Sequence, residues 1–143
     1  MVAVDTNVLV YAHRVDSPFH QSADRVIATL AEGTASWGIP WPCLYEFYAI
    51  VTHPRIYNPP TPPGDALIQI GCWLESPTIV LLHEGDGFWE TLDAIVRQSS
   101  VQGGAVHDAR IAALCIRHGV DVLLTADRDL SRFPILKTRN PLQ

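Results

Sequence analysis

The chain has 143 residues, with 10 Lys and Arg against 15 Asp and Glu for a formal charge of −5, and 48% of its residues are hydrophobic. This length suits one compact domain over residues 1–143, and no second domain is needed. The acidic balance argues against a broad basic surface for duplex DNA, though not against an enzyme that meets phosphate through metal ions and a few arginines, and no apolar run approaches the roughly 20 residues of a membrane-spanning helix.

Residues 1–4 read as a short buried strand, and Asp5, Thr6 and Asn7 supply helix-start chemistry ahead of the apolar run 8–12. No basic and apolar leader with a small-residue cleavage site opens the chain, so the expectation is a cytoplasmic protein that starts at Met1. After the break at Ser17 and Pro18, Ala23, Val26, Ile27 and Leu30 recur at helical spacing over 20–31, with Gly33 as the expected stop. Residues 36–39 suit a second strand. Pro40 and Pro42 then start a helix to about Thr52, followed by a proline-rich loop over 53–63.

Residues 64–74 predict a helix, 78–83 a β-branched and leucine-rich strand, and 87–98 an amphipathic helix. A further helix over 105–118 stops at Gly119, a strand follows over 120–125, and 134–137 adds a short edge strand. Strands alternating with helices predict an α/β fold with a mainly parallel sheet, in which ligands gather outside the carboxyl ends of the strands. Cys43, Cys72 and Cys115 are scattered among apolar neighbours and read as small buried hydrophobes in a reducing compartment.

Four acidic residues stand at the edge of apolar segments or inside them. Asp5 follows the first strand, Glu46 lies within the apolar helix, Asp108 opens an alanine-rich helix, and Asp127 follows the strand at 120–125. Each has a structural reading when taken singly: Asp5 as a helix N-cap, Glu46 as the partner of an arginine across the core, Asp108 as support for a helix dipole, and Asp127 as a turn or cap residue. Glu46 is the most telling, because it shares a helix side with Cys43, Phe47 and Ile50 and is the only charge in its segment.

A charge beside buried surface is costly unless it is paired or coordinates a metal, and the chain is poor in cations, with Lys137 its only lysine. If the four converge, two carboxylates about 4 Å apart repel by roughly 4 kcal/mol at an effective dielectric of about 20. Mg²⁺ or Mn²⁺ removes the conflict, since hard cations take oxygen ligands and keep several waters. Such a site activates water and steadies an in-line phosphodiester displacement, so the chemistry implied is nucleic-acid hydrolysis.

The segments Val4-Asp5-Thr6-Asn7-Val8-Leu9, Leu44-Tyr45-Glu46-Phe47, Val106-His107-Asp108-Ala109 and Thr125-Ala126-Asp127-Arg128-Asp129 together resemble the PIN-domain ribonucleases, in particular the VapC type of toxin. The resemblance covers nearly the whole chain. It implies a three-layer α/β/α fold and a Mg²⁺ or Mn²⁺ site on Asp5, Glu46, Asp108 and Asp127, with Asp129 as a candidate fifth. It also implies that Thr6 and Asn7 orient the first carboxylate, and Thr125 is placed to do the same for Asp127. Arg14, Arg55, Arg110, Arg128 and Arg132 are candidates for RNA phosphate contacts, with ordinary surface charge as the alternative. The tail motifs Arg132-Phe133-Pro134 and Arg139-Asn140-Pro141-Leu142 are similar to those of a VapC subgroup abundant in mycobacteria.

The implied activity is endonucleolytic cleavage of structured RNA, of the tRNA or rRNA class, at single-stranded loops. The implied partners are a VapB-like antitoxin, the RNA and a second copy of the chain, with no membrane. Tyr45, Tyr48 and Trp73 suit a protein interface, unless their helices are fully covered. His107 points about 100° away from Asp108 on a helix and suits a structural or substrate-side role, while His20, His53, His83 and His118 show no ligand spacing. Two rivals stand beside this reading. One is a phosphotransfer protein or phosphatase with Asp5 as nucleophile, disfavoured by Asn7 two residues on and by the single Lys137. The other is a non-catalytic PIN-like binding module.

Overall fold

The computed structural model describes residues 1–143. Strand β1 (Val2–Val4) leads into helix α1 (Thr6–His13), then come α2 (His20–Glu32), β2 (Trp37–Pro40), α3 (Trp41–Val51), α4 (Pro63–Leu74) and β3 (Ile79–Leu82). The second half runs α5 (Phe88–Ser99), α6 (Val106–Arg117), β4 (Val122–Leu124) and β5 (Thr138–Arg139), with short 3₁₀ turns at Gly103–Ala105 and Arg128–Arg132. All neighbouring strands are parallel, in the order β3-β2-β1-β4-β5. Helices α1 to α4 pack on one another, as do α5 and α6, and the fold is a three-layer α/β/α sandwich of the expected class.

Strands β1 to β4 are short and apolar because parallel strands are covered on both faces, whereas the edge strand β5 is polar. Ala3, Val4, Ile39, Leu123 and Leu124 are buried, and Trp37 anchors the core while its indole N–H donates to Ser76 Oγ at 3.1 Å. Helix α6 turns Ala109, Ala112, Ala113 and Cys115 inward, and such small side chains let its backbone approach its neighbours closely. No helix is long and apolar enough to cross a membrane.

Several expectations shift. The edge strand forms at Thr138–Arg139, not at 134–137, because Leu136 turns into the core while Lys137 and Arg139 offer carbonyls to Leu123 and Thr125. Helix α3 keeps an exposed side carrying Tyr45, Glu46 and Ala49, so it is not apolar all round. Trp73 is not an interface residue: it is buried edge-on against Phe47, with ring centroids 4.8 Å apart. Cys72 lies exposed on α4, whereas Cys43 and Cys115 are buried, and all three thiols are free.

Gly119 follows α6 at φ +69°, the left-handed geometry expected of a glycine stop. Gly33 acts differently. Its backbone is extended, and a Cβ there would lie 2.9 Å from the Thr29 carbonyl oxygen, so the position needs a missing side chain and not a special φ. Gly71 in α4 has open space around a Cβ. Urea melts should therefore separate two Gly→Ala changes: Gly33→Ala costs about 1–3 kcal/mol through overpacking, whereas Gly71→Ala gains about 0.5–1 kcal/mol from helix propensity.

Candidate metal centre

The sheet order reverses between β1 and β4. The chain steps outward from β1 to β2 and β3, then returns to the other side of β1, and such a reversal opens a crevice above the carboxyl ends of the two central strands. Pairing of Val4 with Leu124 sets Asp5 beside Thr125 as the next residues in register, fixed by the Asp5 N–H donating to the Leu124 carbonyl at 2.9 Å.

Asp5 is 7% exposed and caps α1. Its Oδ1 accepts from the Thr6 backbone N–H at 2.8 Å and from the Cys43 thiol at 3.5 Å, while Oδ2 accepts from Thr125 Oγ1 at 2.7 Å and more weakly from Asn7 Nδ2 at 3.4 Å. Burial drives the Asp5 carboxyl above its ordinary range, the hydrogen bonds from Thr125, Thr6 and Cys43 oppose that shift, and nearby Glu46 adds to it. Burial and the neighbouring Asp5 push the Cys43 thiol well up, so it remains a protonated donor and not a thiolate ligand.

Helix α3 starts directly from β2, with Pro40 as cap and Pro42 in its first turn. Cys43 and Glu46, three apart, therefore share the side that faces the first turn of α1. Glu46 Oε2 accepts from Thr6 Oγ1 at 2.7 Å. Asp108 occupies the first turn of α6 and is half-buried. Burial first, then the charge of Asp127, raises its carboxyl above the ordinary range; Arg132 opposes this, and Asp129 and Glu46 add smaller increments. Asp127 is exposed after β4, where its Oδ1 accepts from the Asp129 N–H at 2.8 Å and caps the 3₁₀ turn.

The supporting side chains are arranged differently from expectation. Thr6 gives its hydroxyl to Glu46 and only its backbone to Asp5. Thr125 gives its hydroxyl proton to Asp5, and the same oxygen accepts from the Asp127 N–H at 3.0 Å. Asn7 ties α1 to the end of β4, accepting from the Ala126 N–H at 3.0 Å and reaching Thr125 Oγ1 at 3.3 Å. Cys43, read from sequence as core filling, is also a donor to Asp5; its spacing of three residues from Glu46 was the available signal.

The arginines divide by position. Arg14 lies past the far end of α1, bonded to Asp16 at 2.7 and 2.9 Å and to Thr61 at 3.2 Å, with its guanidinium 4.2 Å from the Tyr57 ring centre. Arg55 is exposed beyond the far end of α3. Both stand away from the carboxyl edge because helices carry the chain away from it. Arg132 lies beside Asp129 at 3.7 Å and acts on Asp108, Arg128 adjoins Asp127, and Arg110 pairs with Glu84 on α6's open side. None of the ion pairs in the molecule involves Asp5, Glu46, Asp108 or Asp127.

The PIN domain family profile matches residues 2–136. The chain belongs to the PIN-domain family. Within it the chain is of the VapC type: it is 33% identical to a VapC ribonuclease of Mycobacterium bovis and to ribonuclease VapC43 of Mycobacterium tuberculosis, over 99% of this chain and 96% of each relative. Ribonuclease VapC48 of Mycobacterium tuberculosis is 29% identical, covering 96% of this chain and 94% of the relative. The fold is shared with VapBC2 from Rickettsia felis bound to a promoter DNA fragment, at a TM-score of 0.68 and 19% identity over 98% of both chains. It is also shared with VapC20 of Mycobacterium tuberculosis, a sarcin-ricin loop cleaving toxin, at a TM-score of 0.65 and 17% identity over 92% of this chain and 93% of that one.

On this PIN frame the side chains at the crevice present carboxylate oxygens, with the nearest thiol protonated, and hard divalent cations such as Mg²⁺ or Mn²⁺ take such oxygen donors. No three His, Cys, Asp or Glu side chains close on a common point. The charge of Glu46 acts on both Asp5 and Asp108, and that of Asp127 on Asp108, so the carboxylates share one neighbourhood without forming a closed cage.

Raised carboxyls make the metal-free fold pH-sensitive. Asp5 and Asp108 bind protons more tightly folded than unfolded, so stability falls as pH rises from the ordinary value of 3.8 through the raised folded values. Asp108→Asn removes one share of that loss. In EDTA its melting temperature should exceed the wild type's at about pH 7, with the gain shrinking below about pH 4. A lower melting temperature at neutral pH would make Asp108 a support of the fold.

Proposed function

We propose that this protein is a metal-dependent endoribonuclease, acting in the cytoplasm as the toxin of a toxin and antitoxin pair and cutting structured RNA of the tRNA or rRNA class at exposed loops. The observation that carries this reading is the unpaired acidic set on the PIN frame: Asp5 held by Thr6, Cys43 and Thr125, Glu46 held by Thr6, and Asp108 raised by burial and by its acidic neighbours. The names of the VapC relatives support the ribonuclease class.

In this reading Asp5, Glu46, Asp108 and Asp127 hold Mg²⁺ or Mn²⁺, with Asp129 less available because it faces Arg132. The bound ion supplies positive charge that makes a water nucleophilic and steadies the charge of an in-line phosphodiester displacement. The protein's own part is positioning. Neutral donors fix both oxygens of Asp5 without cancelling its charge, and Thr6 holds one oxygen of Glu46 and leaves the other free. Asp127 uses Oδ1 as a cap, which leaves Oδ2 open.

Nucleophilic attack by Asp5 on a phosphoryl group fits less well. Asn7 stands two residues on where a second Asp would be needed, and Lys137, the only lysine, is exposed just before the outer strand β5. A VapB-like antitoxin and a second copy of the chain are the partners in this reading, supported by Leu67, Ile68 and Leu74, which α4 leaves exposed.

Asp5→Ala and Asp108→Ala are each expected to lower Mg²⁺-dependent RNA cleavage by about 100-fold or more. Sequencing of cellular RNA ends after induction should show discrete cuts for the wild type, none for either variant, and none when EDTA is added to the purified enzyme. Full activity in a folded Asp108→Ala protein would remove the proposal's basis.

A further inference from the structure

A second concave surface adjoins the carboxylates, between α3 and α6. Two hollows, of about 240 and 170 Å³, share Pro42, Tyr45 and Arg110. The larger is also walled by Glu46 and His107, so it opens onto the acidic set; the smaller extends to Trp41 and Glu84. Tyr45 stands between them. Its side chain is 61% exposed, yet it stacks on Trp41 with ring centroids 6.0 Å and planes 25° apart, which restrains the ring without covering its outer side. Across the gap, Glu84 engages Nε of Arg110, and the terminal N–H groups of that guanidinium remain available as donors.

Each hollow is smaller than the roughly 300 Å³ at which sites for drug-sized ligands begin, a size suited to one flat ring. An exposed aromatic face with a guanidinium opposite is the chemistry that accepts an unpaired base and its phosphate. A docked protein helix would need a continuous apolar groove, whereas Glu46, His107 and Arg110 interrupt this one. Resting on the ribonuclease reading, we infer that Tyr45, backed by Trp41, is the stacking shelf for one unpaired nucleobase next to the scissile phosphodiester, with Arg110 meeting the adjoining phosphate. A paired base has no free face to offer, so the shelf favours loops over duplex.

The probe is a fluorescein-labelled 2′-O-methyl RNA octamer of random sequence, compared with an octamer of the same backbone that lacks bases, both followed by anisotropy in calcium buffer. Tyr45→Ala should bind the base-bearing octamer about tenfold more weakly than wild type, Tyr45→Phe should stay within about twofold, and the base-free octamer should bind wild type and Tyr45→Ala alike. Equal affinity of wild type and Tyr45→Ala for the base-bearing octamer overturns the shelf, as does an equal loss on the base-free one. A change confined to antitoxin binding overturns it in favour of protein docking. Cleavage of cellular RNA is measured alongside. Base-dependent binding through Tyr45 without any cleavage ends the ribonuclease reading and keeps Tyr45 only as a base-stacking site with no scissile bond beside it, whereas cleavage with binding indifferent to Tyr45 overturns the shelf and keeps the ribonuclease reading.

Discussion

The pairing of β1 with β4 is the constraint on which the site depends. Asp5 and Thr125 are 120 positions apart in the chain, yet parallel register makes them neighbours, and a 2.7 Å hydrogen bond joins their side chains. A slip of one residue would turn every side chain of β1 to the opposite face. Register here is therefore fixed by core packing, since Ala3, Val4, Leu123 and Leu124 must all stay dry. The acidic crevice inherits its geometry from apolar contacts below it.

Above that base the molecule solves an electrostatic problem with neutral groups. A guanidinium beside Asp5 would satisfy it and also cancel the charge on which the proposed function rests. The neighbours are instead two hydroxyls, a thiol, an amide and a backbone N–H, which orient the oxygens of Asp5 and Glu46 while leaving their charge in place. The cost is visible in Asp5 and Asp108, both pushed toward protonation by burial and by neighbouring carboxylates, Glu46 for Asp5 and chiefly Asp127 for Asp108.

Much of this was legible in the sequence. Period and punctuation located every helix and four of the five strands to within a few residues, because buried parallel strands are short apolar runs and the helices carry clear starts and stops. The last strand was misplaced because two residues leave no periodicity to read; tertiary pairing alone makes Thr138 and Arg139 a strand. The acidic residues stood out by their apolar surroundings. Which hydroxyl serves which carboxylate did not, since the Thr6 hydroxyl goes to Glu46 through the approach of α3 to α1 and that of Thr125 to Asp5 through the β1 to β4 register, both long-range. The groove at Tyr45 escaped for a similar reason: Trp41 and Tyr45 are four apart on a helix, an ordinary core spacing, and only the fold shows that this side faces outward.

The distribution of the crevice along the polypeptide bears on synthesis. Its floor is built from residues 2–7 together with residues 122–127, which are synthesised well after them. A nascent chain halted after α5 already contains Asp5 and Glu46 but lacks β4, so β1 has no neighbour on that side and Asp5 no hydroxyl to hold it. Translation products that stop there carry half of the acidic set without the means to assemble it, and the complete arrangement exists only in chains that extend past β4.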